Sequence, residues 1–273
     1  MALAVEAAGL SDTGRKRKGN EDSLFLDESI GLFVVADGMG GHLAGEVASK
    51  VVVNTMEDYI RRFHEQKNAE KLDDFDSDLS EQANRLLAAI SLANRAVHEM
   101  AKQKQAYTGM GSTVSAAYLS ETGFVVANVG DSPIYLVHNG QIQEVSVPHT
   151  VIAEQAAMDP DAAGRLGEKF AHMLTRAMGV EESVKADACE IQAFPGDILV
   201  LASDGLTNLV SRESIQKTVT GQNPEQACRK LVEMANENGG DDNITVIVLK
   251  VKQVGGRGGV FKNAFSRFLK FFK

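Results

Sequence analysis

Acidic side chains stand directly beside apolar segments of this sequence at several separate places. They are Asp37, Asp131, Asp204 and the pair Asp241-Asp242. Each marks a point where a buried strand is expected to leave the core. If these strand ends meet, several negative charges lie within a few ångströms and repel one another unless cations neutralise them. Oxygen ligands without a cysteine or a histidine pair favour Mg²⁺ or Mn²⁺ over zinc.

Each acid also has a simpler interpretation, because Asp-Gly is an ordinary turn dipeptide. The combination is more specific than turn formation. It consists of Asp-Gly-Met-Gly-Gly-His at 37–42, Val-Gly-Asp-Ser at 129–132, Ser-Asp-Gly at 203–205 and Asp-Asp-Asn-Ile-Thr at 241–245. Upstream, Arg17 precedes Glu21-Asp22. One interpretation of this run is a charged loop exposed to solvent. In the other, the Arg17 guanidinium binds a phosphate, and Glu21 and Asp22 hold the water shell of a bound ion.

Hydrophobic periodicity predicts the elements that position these acids. Unbroken apolar runs at 32–36, 198–202 and 244–251 are typical of strands covered on both faces, and Asn139-Gly140 predicts a hairpin turn. Apolar residues at helical spacing predict helices over 47–63, 79–97 and 224–236. The order of elements predicts an α+β fold with mainly antiparallel sheets and the helices outside. The irregular segment 146–176 is long enough to cover a site.

Composition narrows the functional classes. The chain has 273 residues, 44% of them hydrophobic and 24% charged, which is typical of a globular protein. The sequence contains no apolar run of transmembrane length, and its two cysteines, Cys189 and Cys228, form no C-x-x-C pair. The formal charge is −9, although all charged residues from Lys250 onward are basic. The acidic body disfavours a nucleic-acid partner, and we expect a cytoplasmic protein.

These motifs resemble those of the metal-dependent serine/threonine protein phosphatases of type 2C, and more closely the bacterial branch. The resemblance runs from about residue 10 to 252. The matching residues are Arg17, Asn20-Glu21-Asp22, Asp37-Gly38-Met39-Gly40-Gly41-His42, Gly109-Met110-Gly111-Ser112-Thr113, Gly130-Asp131-Ser132, Leu174-Thr175-Arg176-Ala177-Met178-Gly179, Ser203-Asp204-Gly205 and Asp242-Asn243. It implies a four-layer α/β/β/α sandwich, in which two mainly antiparallel sheets are flanked by helix pairs, with two Mn²⁺ or Mg²⁺ ions at one end.

The resemblance also implies a role for each site residue. Asp37 bridges the two metals and the Gly38 carbonyl binds one of them. Asp204 and Asp242 complete the other site. Glu21 and Asp22 contact metal directly or through water. Asp131, with Asp204, binds a third and weaker ion. Arg17 binds the phosphate.

The implied reaction is hydrolysis of phosphoserine and phosphothreonine in proteins by a hydroxide that bridges the two metals, in opposition to a serine/threonine kinase. Met39 stands where eukaryotic members carry a histidine proposed as the general acid. His42 is the nearby substitute, with a structural role or a metal-bound water as the alternatives. A phosphatase-like regulatory or binding module with little turnover is the alternative to an enzyme, and a phosphatase of small metabolites is a third reading.

The domain organisation follows from the same boundaries. Residues 1–252 form the catalytic domain with its flap at 146–176, residues 253–259 a glycine-rich linker, and residues 260–273 a basic amphipathic helix. Such a helix suits an anionic membrane surface or a groove in a partner protein, whereas packing against its own domain is the simpler alternative. We expect a monomer that acts on phosphorylated proteins.

Overall fold

The computed structural model describes residues 3–41, 43–65, 76–159, 170 and 173–254. Its strands form two antiparallel sheets, with the orders β1-β11-β10-β7-β8 and β2-β3-β5-β6-β9; the short β4 pairs with β3. The strands are β1 (Ala4–Asp12), β2 (Asp22–Asp27), β3 (Leu32–Met39), β4 (Gly111–Ser112), β5 (Val114–Leu119), β6 (Gly123–Val129), β7 (Ile134–His138), β8 (Gln141–Glu144), β9 (Asp187–Gln192), β10 (Ile198–Ala202) and β11 (Ile244–Gln253).

Helices cover the outer faces of both sheets. The long helices α1 and α2 pack on the β2-β3-β5-β6-β9 sheet, whereas α6 packs on β1 and β11 of the other sheet with α5 beside it. The helices are α1 (Leu43–Glu65), α2 (Glu81–Gln103), α3 (Val151–Met158), α4 (Asp204–Thr207), α5 (Arg212–Gly221) and α6 (Pro224–Glu237). The four-layer α/β/β/α prediction is confirmed.

Alternation along the central strands explains why their sequences are apolar without interruption. In β3, Leu32, Val34 and Ala36 face the core under α1 and α2. Phe33 and Val35 of the same strand face the core between the two sheets. Successive side chains of a strand point to opposite faces, so a strand that is covered on both sides has no polar position to spare. β10 follows the same rule between the two sheets and α6.

The predicted strands and helices are present, with small differences at their ends. Asn139 and Gly140 both have positive φ, 49° and 71°, as the hairpin prediction requires. The sequence patterns do not predict β1, β2, β4, α4 or α5, and α3 lies in the segment 146–176 that is expected to be irregular. β1 and β2 are edge strands of their sheets, and their residues are mostly half-buried, so neither shows the continuous apolar run of a central strand.

Several predictions concern residues that the structure does not describe. His42, the C-terminal segment 260–273 and most of the linker 253–259 lie outside the described residues, as do 160–169, 171 and 172 of the flap. Gln253, which we had assigned to the linker, is the last residue of β11 and pairs with Ala4. Within the described ranges, no helix has both the length and the apolar character needed to cross a bilayer.

Candidate metal and phosphate site

A cleft of about 530 Å³ opens where ends of strands from both sheets meet. It brings together residues from distant parts of the chain, among them seven of the predicted site residues. Those seven are Arg17, Glu21, Asp37, Gly38, Asp131, Asp204 and Asp242. Residues that we had assigned no role also line the cleft: Thr113, Leu174–Ala177, Val180 and Asn243, together with Met39, Gly40 and Gly41.

Asp37 is held by its own backbone near the end of β3. Its N–H donates to the Thr113 hydroxyl at 3.1 Å, and its carbonyl accepts from the Thr113 N–H at 2.8 Å and from the Ser112 hydroxyl at 2.9 Å. The neighbouring Gly38 N–H donates to the Glu21 carbonyl at 3.2 Å. The carboxyl group of Asp37 therefore emerges from a backbone that is fixed on both sides.

Gly38 allows helix α1 to start directly against this strand end. A Cβ at Gly38 would lie 2.1 Å from the Gly45 carbonyl oxygen and 2.6 Å from that of Glu21. Gly45, in the first turn of α1, is equally close: a Cβ there would lie 2.7 Å from the Glu21 carboxylate oxygen Oε2. This pair of glycines thus sets the distance between the helix and the acidic residues of the cleft.

Asn243 lines the cleft and holds several of its other residues in place. Its side-chain oxygen accepts from the Glu21 N–H at 2.8 Å, and its Nδ2 donates to the carbonyls of Thr13 and Gly19, each at 2.9 Å. Its own N–H donates to Asp242 Oδ1 at 2.8 Å. The carboxamide therefore joins the loop that carries Arg17 to Glu21, and the backbone N–H of the same residue holds Asp242. The place of Asn243 in the Asp-Asp-Asn motif did not reveal this role.

Asp204 is the first residue of the short helix α4, which follows β10. Its Oδ2 accepts from the Asn208 side chain at 3.2 Å. The preceding Ser203 is fully buried and donates its hydroxyl to Asp22 Oδ2 at 2.8 Å. The ends of β10 and β2, which belong to different sheets, are joined by this hydrogen bond.

Asp22 differs in position from the other predicted ligands. It is buried at 7% exposure and is not among the residues that line the cleft. Its Oδ1 is buried with no hydrogen-bond partner among the described residues. Asp22 is paired with Asp37 across the β2–β3 ladder, and both side chains lie on the side of the sheet that faces the other sheet.

The buried carboxyl groups hold their protons more tightly than usual. Burial, followed by the negative charges of Asp22, Asp204, Asp242 and Asp131, raises the pKa of Asp37 well above its ordinary value. Burial also raises the pKa of Asp22 to about 6, against hydrogen bonds from Thr245 and Ser203 that lower it. Both shifts arise first from burial, and the charges of neighbouring carboxylates add to them.

Arg17 is paired with one of the acids. Its Nη2 donates to Asp242 Oδ2 at 2.6 Å, and both side chains are partly exposed to solvent. This hydrogen bond is the main reason that the pKa of the guanidinium is raised. Partial burial lowers the pKa, but the charges of Asp242, Glu21 and Asp37 raise it further, and the net shift is upward. The adjacent Lys16 and Asp241 form a second ion pair of 2.6 Å.

The donor set fits hard divalent cations in chemistry and in charge. The cleft presents carboxylates and a backbone carbonyl, the groups that Mg²⁺ and Mn²⁺ prefer, and the raised pKa values show that a positive charge there would relieve repulsion. Within the part of the chain described, no three acidic, histidine or cysteine side chains already close around a common point. Asp242 is bonded to Arg17, so a cation that used this carboxylate would compete with the guanidinium.

Comparison with known proteins identifies the family to which the chain belongs. The family model described as protein phosphatase 2C matches residues 14–244. This chain therefore belongs to the protein phosphatase 2C family.

Relatives in this family cover most of the chain. A serine/threonine phosphatase, stp, of Listeria monocytogenes is 30% identical over 245 residues, which are 88% of this chain and 93% of the relative. The structure of the phosphatase MsPP from Mycobacterium smegmatis in complex with cacodylate matches with a TM-score of 0.75 and 31% identity over 92% of this chain and 100% of that chain. The catalytic domain of PstP in complex with two manganese ions matches with a TM-score of 0.76 and 30% identity, over the same shares.

Proposed function

We propose that this protein hydrolyses phosphoserine and phosphothreonine in proteins, as a metal-dependent phosphoric monoester hydrolase. The observation that carries the proposal is the convergence of Asp37, Asp204 and Asp242 with Arg17 on one cleft, from both sheets. Relatives named serine/threonine phosphatases, similar over most of the chain, support the same reading. Retention of all three carboxylates and the arginine argues against a binding module that lacks turnover.

In this proposal Asp37, Asp204, Asp242, Glu21 and the Gly38 carbonyl hold two divalent ions, Mn²⁺ or Mg²⁺. Two such ions supply Lewis acidity, activating water for attack and neutralising charge on phosphate. Arg17 binds the phosphoryl oxygens through its planar donor fork once it leaves Asp242. Asp22 acts from behind the cleft, where its charge and its bond to Ser203 set the position and the field of Asp37.

Further details of the function are proposals of the same kind. Asp131 with Asp204 is the candidate site for a third and weaker ion. His42 remains the candidate proton donor to the leaving oxygen. We further propose a monomeric cytoplasmic enzyme that opposes a serine/threonine kinase and docks on a membrane or a partner protein through residues 260–273.

The decisive experiment compares the wild type with Asp204→Asn and with Lys217→Ala as a matched surface control. Hydrolysis of a phosphothreonine peptide and of p-nitrophenyl phosphate is measured with added Mn²⁺ and with EDTA. We expect turnover that requires Mn²⁺, that is lost in Asp204→Asn and that is unchanged in Lys217→Ala. Turnover that persists in EDTA, or a wild type that binds Mn²⁺ without any turnover, would refute the proposed function.

A further inference from the structure

The base of the flap is bonded to the turn that carries Asp131. His149 is fully buried, and its Nδ1 accepts from the Gly130 N–H at 3.0 Å. The His149 N–H donates in turn to the Gly130 carbonyl at 3.0 Å. One residue of the flap therefore satisfies both backbone groups of the residue that precedes Asp131.

The geometry of this turn leaves little freedom. Gly130 has a φ of +102°, and a Cβ there would lie 2.7 Å from Thr113 Cγ2, so only glycine fits. On the other side of Asp131, the Ser132 and Thr113 hydroxyls are hydrogen-bonded at 2.8 Å. Thr113 is also bonded to the backbone of Asp37. Asp131 thus stands between two fixed neighbours, one held by His149 and the other held by the residue that positions Asp37.

The second nitrogen of His149 makes a different contact. Because a backbone N–H can only donate, Nδ1 carries no proton, and Nε2 is the nitrogen that donates to Asp187 Oδ2 at 2.7 Å. The same carboxylate oxygen accepts from Arg176 Nη1 at 2.7 Å. These two donors, His149 first, lower the pKa of Asp187.

Arg176 connects this network to the cleft. Its side chain is among those that line the cleft wall, and its Nη1 also donates to the Lys185 carbonyl at 3.2 Å. The flap base is closed beside it, because the Thr175 N–H donates to the His149 carbonyl at 2.9 Å. Arg176 is therefore a positive charge in the cleft whose orientation depends on Asp187, and Asp187 is bonded to His149.

We propose that His149 is a positioning residue for the phosphatase reaction, which holds the Asp131 turn through Nδ1 and, by way of Asp187, holds Arg176 against the cleft through Nε2. Arg176 then binds the phosphorylated segment of the substrate. The assignment of Asp131 and Arg176 to catalysis and binding rests on the proposed function. The hydrogen bonds themselves are a property of the fold and can be tested without turnover.

Two substitutions separate the contact of Nδ1 with Gly130 from the contact of Nε2 with Asp187. The side-chain oxygen of Asn reaches the position of Nδ1, whereas the amide nitrogen of Gln reaches that of Nε2. His149→Asn therefore keeps the bond from Gly130 and loses Asp187, and we expect on the order of a tenfold rise in KM for a phosphothreonine peptide with kcat nearly unchanged. His149→Gln keeps Asp187 and loses the acceptor for Gly130, and we expect a fall of similar size in kcat. Arg176→Ala is expected to reproduce the KM effect of His149→Asn.

The control is a second His–Asp pair at the opposite end of β7, in which the aspartate is buried and the histidine is half-buried. His138 Nδ1 and Asp197 Oδ1 are 2.7 Å apart, and neither residue is among those that line the cleft. His138→Gln removes a comparable bond, and we expect thermal stability to fall with kcat and KM unchanged. If both His149 variants lose stability without the KM-against-kcat split, His149 is a structural residue only and the proposal fails.

Nitrogen NMR of the wild type gives a readout that does not depend on activity. We expect an imidazole protonated at Nε2 and unprotonated at Nδ1, and a Gly130 amide signal that shifts strongly in His149→Gln and little in His149→Asn. A proton on Nδ1 would overturn the proposal even in an active enzyme. The expected spectrum in a protein without turnover would instead overturn the proposed function, and the catalytic part of this inference with it.

Discussion

Arg17 and Asp242 form an ion pair of 2.6 Å at the rim of the cleft. The pair joins the group that we expect to bind phosphate to a carboxylate that we expect to bind metal. Each must leave the other for the proposed reaction, because a carboxylate oxygen committed to a guanidinium is less available to a cation. Metal binding at Asp242 and phosphate binding at Arg17 are therefore expected to favour each other.

The ion pair predicts that Arg17→Met binds Mn²⁺ more tightly than the wild type while hydrolysing phosphate esters more slowly. Exposed ion pairs contribute about 0.2–1 kcal/mol, so the gain in Mn²⁺ affinity is expected to be about 1.5- to 5-fold. Isothermal titration calorimetry measures the affinity, and kcat/KM for p-nitrophenyl phosphate measures the loss. Lys18→Met, a neighbouring exposed cation, is the control. Weaker Mn²⁺ binding by Arg17→Met would contradict the competition.

The raised pKa of Asp22 predicts a pH-dependent cost in the metal-free protein. A carboxyl group whose pKa is about 6 when folded and 3.8 when unfolded destabilises the fold above pH 6, and this cost is relieved as pH falls from 6 toward 3.8. Asp22→Asn removes the cost. In EDTA, the stability of Asp22→Asn relative to the wild type is expected to be higher at pH 7.5 than at pH 5.5, by about 1 kcal/mol.

Urea unfolding of both proteins at the two pH values measures this difference. The loss of the Asp22 charge also lowers the pKa of Asp37, and the measured difference includes that change. Glu28→Gln, which changes a partly exposed carboxylate, serves as the control. An Asp22→Asn difference that does not depend on pH, or that grows as pH falls, would show that the carboxyl group is not held at a raised pKa.

The glycine contact between β3 and α1 predicts a large effect from a single methyl group. Gly38→Ala places Cβ on the Gly45 carbonyl, and because both contact atoms belong to backbone, the helix or the strand must move. We expect a loss of about 3 kcal/mol in the free energy of unfolding and weaker Mn²⁺ binding. Gly19→Ala, where a Cβ meets nothing within 4 Å, is the matched control and is expected to be neutral. Equal stability of the two variants would show that α1 adjusts freely.

The basic C-terminal segment predicts salt-sensitive binding to anionic vesicles. Attraction on the order of 1 kcal/mol per basic residue near the surface is expected. Co-sedimentation of the full chain is compared with a truncation after Val254, which leaves β11 intact. We expect the full chain to sediment with vesicles that contain phosphatidylserine and not with neutral ones. Equal sedimentation of the two proteins would exclude the membrane and leave a protein partner or packing on the domain.

The central strands and long helices could be predicted from the sequence because their apolar patterns are dictated by burial. β10 and the segment 32–36 of β3 are covered on both faces, and every residue in these two stretches is apolar and buried. The edge strand β2 carries no such pattern, and that gap explains why the position of Asp22 was not foreseen. Glu21 and Asp22 are adjacent, so in an extended chain they point to opposite sides. Glu21 lines the cleft, and Asp22 turns toward Ser203 between the sheets.

The cleft residues that we had assigned no role share a physical reason. Asn243 and Thr113 act through hydrogen bonds to segments that are distant in the chain, and a hydrogen bond of this kind leaves no periodic signal. The carboxylates, in contrast, follow strand ends, whose place can be predicted. Sequence reasoning therefore identifies the charged groups of the site more readily than the neutral groups that hold them.

Because the two ends of the flap are hydrogen-bonded to each other, the length of the flap can change with little effect on the rest of the fold. Val151 N–H donates to the Met173 carbonyl at 2.9 Å, and Thr150 and Leu174 form an isolated bridge, so the two ends of the segment meet at the wall of the cleft. A doubling of the chain between such ends costs only about 0.6 kcal/mol in closure entropy. We therefore expect an engineered insertion between Met158 and Met173 to alter the choice of phosphoprotein and to leave the carboxylates of the cleft in place.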